Sequence, residues 1–189
     1  MGRLTPSRKE AHCMMHTVSV FIYMVAAAVG EPEFRFYEDD PRHHRVQSAK
    51  SLTDGNEMLW VTKQSAGSRL LSTTPCQAIK KLRPISRNQF RYTVFSTPPS
   101  TGKGALGMFS AVLTTSRTTS HVYENAISYP TINGGRPRLY KILFADRPRG
   151  CYILVATGSK RERACRLLRT QSTLGKPLPT DCDRAFIRN

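Results

Sequence analysis

A chain of 189 residues is long enough for one domain of ordinary size with its own core. Its hydrophobic content of 39% excludes wholesale disorder. With 29 Lys and Arg against 13 Asp and Glu, the formal net charge is +16, which favours anionic partners and says nothing about fold.

Arg3, Arg8 and Lys9 make a basic opening, Val18 to Val29 is an apolar run, and the small residues Ala28 to Gly30 precede Glu31. That order is the layout of a secretory signal. The apolar run is too short for a membrane span, which needs about 20 such residues. The sequence therefore predicts a removable segment over residues 1–30 and a secreted domain over residues 31–189. Next, Pro41 after Asp40 suits a first helical turn, so a short helix is predicted within Arg42 to Leu52, broken by Asp54, Gly55 and Asn56.

From Met58 the pattern changes to short runs rich in β-branched and aromatic residues: "MLWVTKQ", "SRLLSTT", "CQAIKKL", "FRYTVFST", "LGMFSAVLTTS", "HVYENAISY", "RLYKILFA", "CYILVAT" and "ACRLLRT". Turn signals such as "SAGS", "INGGRP", "DRPRG" and "TGSKRER" separate them. Many short strands with no long helical pattern among them predict an all-β fold, either an up-and-down barrel or a sandwich. The tail carries two prolines and then one or two helical turns around Cys182.

Of five cysteines, Cys13 falls in the removable segment. Four remain, and an even count in a secreted chain reads as two disulfides with three possible connectivities. Zinc is disfavoured, since no Cys-x-x-Cys pair exists and the adjacent His43 and His44 point opposite ways in an extended chain. Cys151 and Cys165 fall on neighbouring strands, close enough to bridge. A Cys76–Cys182 bridge would close a far longer loop and tie the tail to the wall.

"STGKGALG" (Ser100 to Gly107) lacks the phosphate-loop spacing, because Thr97 and Gly104 stand where Gly and Ser or Thr are required. His121 has no nucleophile near it in sequence, and no Gly-x-Ser-x-Gly or His-Glu-x-x-His signature appears. No enzyme, metal or cofactor is expected. Basic clusters occur at Lys80, Lys81 and Arg83, at Arg136, Arg138 and Lys141, and at Lys160, Arg161, Arg163, Arg166 and Arg169. They open a second reading, in which the exterior binds anionic glycans or host haemostatic proteins. Nucleic acid is not expected, as no recognition helix or stacking motif is visible.

The ending "YKILFADRPRGCYILVATGSKRERACRLLRTQSTLGKPLPTDCDRAF" resembles the C-terminal third of the tick salivary lipocalins, the histamine-binding protein family. "ENAISY", "QSAKSL" and "MLWVTKQ" fit the same template more loosely, so that the likeness covers residues 40–189. The resemblance implies an eight-stranded antiparallel lipocalin barrel with short N-terminal and C-terminal helices, and an internal cavity. It also implies the pairs Cys76–Cys182 and Cys151–Cys165, a monomer in saliva, and capture of a small host mediator, either a biogenic amine or an eicosanoid or fatty acid.

The departures from that template bear on the ligand. Tyr152 stands where amine-binding members carry Asp, Arg166 where they carry Glu, and Leu168 where they carry an aromatic; the early helix has Gln47, Ser48 and Ala49. A cationic amine needs carboxylates and aromatic faces to replace its water. Only Glu124 and Asp146 offer themselves as substitutes. Arg166 points to the opposite chemistry, a guanidinium that clamps a carboxylate. Alternation puts Arg166 and Leu168 on one face. The predicted lining is Arg166, Leu168, Tyr152, Leu154, Phe90, Tyr92, Phe109, Tyr140 and Phe144.

Overall fold

The computed structural model describes residues 36–66, 68–71, 74, 76–97, 106–159 and 162–188. The expected signal over residues 1–30, most of Ser100 to Gly107, and Lys160 and Arg161 lie outside them.

Eight antiparallel strands close into an up-and-down barrel in sequence order. They are β1 (Leu59–Gln64), β2 (Gln77–Ser86), β3 (Gln89–Ser96), β4 (Gly107–Ser116), β5 (Ala126–Tyr129), β6 (Arg138–Asp146), β7 (Cys151–Thr157) and β8 (Arg163–Thr170). Closure leaves no free edge between first and last strands, because Leu59 pairs with Thr170 and Val61 with Leu168. In the run "SRLLSTT", the described residues 68–71 form a turn and not a strand. Its Leu70 and Leu71 are instead buried against the interior cluster, and "HVYENAISY" contributes only its last four residues to β5.

The predicted early helix is split in two. Asp40 accepts a hydrogen bond from the Arg42 backbone N–H at 3.0 Å and starts a 3-10 helix over Pro41–Val46. The chain then straightens at Ser48 before α1 (Ala49–Thr53), whose Leu52 is buried in the barrel cluster. Helix α1 closes one end: Tyr152 donates to the Ser51 carbonyl at 3.3 Å, and the Lys81 ammonium donates to the Thr53 carbonyl at 2.5 Å. The C-terminal prediction around Cys182 is met by α2 (Thr180–Ile187). Among the described residues no helix is long and apolar enough to cross a membrane.

Strand alternation divides the wall into two cores. The inner cluster holds Leu59, Ile79, Tyr92, Leu113, Ile127, Tyr140, Leu154 and Leu168 among others. The outer one holds Leu143, Cys151, Ile153, Val155, Cys165, Leu167 and Cys182, under α2.

The disulfide pairing differs from the expected one. Cys151 bridges to Cys182, with Cα atoms 6.5 Å apart, and Cys76 and Cys165 are free. The register of β7 and β8 gives the reason. Cys151 lies opposite Arg169 and Cys165 opposite Val155, four positions away. That offset is about 13 Å along the strands, beyond disulfide reach. The expected Cys76–Cys182 pair also fails, since Cys182 lies over β7 while Cys76 precedes β2, three strands further round. Burial pushes the Cys165 thiol above its ordinary pKa, which leaves it inert.

Candidate ligand site inside the barrel

The interior carries one unusual group. Arg166 on β8 faces inward directly across from Leu154 of β7, and its side chain is wholly buried. A guanidinium cannot shed its proton at any accessible pH, so burial cannot be relieved by neutralisation. Its Nη1 donates to the Gln77 Oε1 at 2.5 Å, and its Cζ stands 5.6 Å from the centre of the Tyr140 ring. Nε and Nη2 have no hydrogen-bond partner of good geometry among the described residues, although the Tyr129 hydroxyl lies close to the guanidinium. These two atoms form one edge of the guanidinium fork, the edge that takes a carboxylate in bidentate fashion. The Tyr140 hydroxyl is also buried and has no hydrogen-bond partner among the described residues.

Around the arginine stand stacked tyrosines. Tyr129 of β5 and Tyr140 of β6 face each other with ring centres 5.3 Å apart. Burial raises the Tyr129 pKa while the adjacent Arg166 pulls it down. Burial also raises Tyr92 and Tyr140, and pushes Tyr152 up to about 12. Unfolded tyrosines ionise near pH 10. The native state therefore holds protons that the unfolded chain has lost above that pH, and stability falls as pH rises through 10 towards 12. In a phenolate absorbance titration, Tyr92, Tyr129, Tyr140 and Tyr152 are expected to ionise only together with unfolding. Smooth ionisation of all tyrosines near 10 in the folded protein would contradict the buried arrangement.

No carboxylate among the described residues answers Arg166. Glu124, a suggested substitute, accepts from the Thr115 hydroxyl at 2.7 Å and lines an outer cleft of 690 Å³. Asp146, the other, accepts from the Arg149 N–H in the β6–β7 turn at 3.1 Å. Neither equips the interior for an amine. His121 is structural: its Nε2 and the Gln47 Oε1 are 2.8 Å apart, and Gln47 in turn donates to the Tyr37 carbonyl at 2.7 Å.

Of the predicted lining, Arg166, Leu168, Tyr152, Leu154, Tyr92 and Tyr140 are buried inside the barrel, and Phe90 and Phe109 lie partly buried against the same cluster. Phe144 does not line the interior. A register shift between Ile142 and Phe144 breaks the alternation, so Phe144 packs outside with Leu143 and Cys151. Gln77 and Tyr129 were missed. The signal was present in the pairs Gln77–Ile79 and Ile127–Tyr129, each two residues apart on one strand face.

The remaining space is uneven. At the α1 end a cavity of 130 Å³ is lined by Leu52, Leu59, Tyr92, Tyr152 and their neighbours. At the opposite end, one step beyond Arg166, Ala156 and Ala164 face each other across β7 and β8. Leu70 roofs this end; a Cβ on Gly158 would come within 2.7 Å of its Cδ2.

The family model described as tick histamine binding protein matches residues 37–189. A search of curated proteins finds no match. Among solved structures, Japanin from Rhipicephalus appendiculatus bound to cholesterol aligns with a TM-score of 0.50 and 14% identity, over 70% of this chain and 86% of that one. At that identity the likeness concerns the fold.

Proposed function

Because the chain belongs to the tick histamine-binding protein family, a lipocalin-type group of small-molecule binders, we propose that it sequesters an anionic lipid, a fatty acid or an eicosanoid such as a leukotriene, whose carboxylate meets Arg166. One observation carries the reading: a wholly buried guanidinium whose Nε–Nη2 edge is unpaired. Leaving such a charge unanswered costs several kcal/mol, and a carboxylate supplies the acceptors that Nε, Nη2 and the Tyr140 hydroxyl lack.

The apolar tail runs toward the end of the barrel where the small side chains of Ala156 and Ala164 pair across β7 and β8. Cavities for ligands of this size run to about 300 Å³ or more. The 130 Å³ space at the α1 end is smaller, so admission of a long chain requires the turn bearing Leu70 and Leu71 to lift. Secretion in saliva under the signal over residues 1–30, monomeric action, and removal of a host mediator in evasion of host defence complete the proposal. The ligand lining consists of Arg166, Gln77, Tyr129, Tyr140, Phe109 and Leu154.

A ligand series tests the reading. Arachidonate should bind saturably, its methyl ester at least about 10-fold more weakly, and histamine not measurably, since only the free acid offers a bidentate anion. Equal affinity for acid and ester would remove Arg166 from the site, and tight histamine binding would overturn the proposal.

A further inference from the structure

Between Glu57 and Glu124 the sequence contains nine Lys and Arg residues and no acidic one. The fold places five of these on the β2–β3 hairpin, where Lys81 reaches the Thr53 carbonyl and four others stay uncommitted. Beyond Ile79, β2 has left its pairing with β1 and runs on with β3 alone to the turn at Arg87 and Asn88. Lys80, Arg83 and Arg87 are exposed and Arg91 is half-buried. None of the four has a carboxylate partner or a side-chain hydrogen bond among the described residues.

Ile79 and Val94 pair inward, so Lys80 and its partner Thr93 point outward. Uninterrupted alternation would turn Arg83 inward. A register shift between Lys81 and Arg83 instead sets Arg83 directly opposite Arg91, on the outer face. Like charges in directly opposed positions destabilise a strand pair. The barrel thus holds an unfavourable cation pair at a bulge, and no carboxylate among the described residues is paired with either arginine. Such a pair is relieved when an anion bridges both side chains.

We propose that the outer face of the β2–β3 hairpin is a binding site for a linear sulfated polysaccharide, separate from the interior site. Lys80 and the Arg83–Arg91 pair follow one another along the outer face, with Arg87 at the tip beside the cleft that Phe90, Asp54 and Glu124 line, so the outer cations suit a chain of spaced anions. The tip, Ser86 to Gln89, is polar and exposed and offers hydrogen-bond groups to sugar hydroxyls, while the exposed Leu82 and Ile85 lie behind it along β2. Bound there, the carrier would stay on a glycan-rich matrix while its interior remained free for ligand.

The test is the affinity of the folded, disulfide-bonded protein for a size-defined heparin oligosaccharide over a range of salt concentrations. The wild type should bind with a steep loss of affinity as salt rises. Arg83→Thr with Arg91→Thr should weaken binding at least about 10-fold, make the log–log salt slope shallower by nearly two, and leave thermal stability equal or higher. Arg136→Ser with Arg138→Ser removes the same charge elsewhere and should have less than about a twofold effect. Equal losses from both double variants would mean that net charge alone attracts the polyanion, and the hairpin site would be refuted. Stronger binding to vesicles of anionic phospholipid than to heparin would also refute it, in favour of a membrane surface.

Discussion

Arg163→Met is expected to lower the free energy of unfolding by about 3–5 kcal/mol, as measured by urea denaturation. Glu38 is wholly buried, and both of its oxygens are held by Arg163, with Nε to Oε1 at 3.0 Å and Nη2 to Oε2 at 2.7 Å. The guanidinium also lies over the Phe36 ring, 4.6 Å from its centre. Glu38 belongs to a 3-10 turn, Tyr37–Asp39, so this one fork fastens the N-terminal end of the domain to β8. Methionine fills similar space without the charge and strands a carboxylate in the wall. The double variant Glu38→Leu with Arg163→Met should recover much of the loss, because an ion pair removed whole is replaced by apolar contact. A single-variant loss below about 1 kcal/mol would show that the pair is solvated and contributes little.

Three residues along the same strand, Arg166→Met is expected to behave in the opposite way. Stability should stay within about 1 kcal/mol of the parent or rise, while affinity for a free fatty acid falls about 100-fold. The contrast follows from partnership, since both side chains are guanidinium groups from β8. Arg163 is answered by a carboxylate; Arg166 has the Gln77 amide oxygen, the face of Tyr140 and the adjacent Tyr129 hydroxyl, and no carboxylate. Replacing Arg166 forfeits one neutral-acceptor hydrogen bond, worth about 1.5–3 kcal/mol, and relieves an unpaired buried charge that costs more. A group kept at a cost to stability, in a position to grip an anion, is what a binding site leaves behind in the unliganded fold. If Arg166→Met unfolded the protein instead, Arg166 would be a structural residue, and its open edge would have no bearing on ligand.

Much of this architecture is legible in the sequence because strand alternation is a short-range signal. The pairs Arg166–Leu168 and Tyr152–Leu154 declare a common face, and the turns declare the strand ends. Register shifts are not legible. Those at Lys81/Arg83 and Ile142/Phe144 each depend on how a neighbouring strand sits, so counting by twos carries Phe144 to the wrong side of the wall. The disulfide fails to be read for the same reason. Neighbouring strands bring Cys151 and Cys165 side by side in order, but only the β7–β8 register shows them four positions apart, and only the path of α2 brings Cys182 to Cys151. Gln77 and Tyr129 are ordinary strand residues until closure of the barrel sets them around the buried Arg166.

The most direct test of the account is calorimetric titration of arachidonate into the wild-type protein and into Arg166→Met, each at low and at high salt. The account predicts saturable wild-type binding that changes little with salt, since the charge it uses is buried beyond screening, and about 100-fold weaker binding in the variant. Undiminished binding by Arg166→Met, or wild-type binding that disappears at high salt, would place the anion somewhere other than the buried arginine.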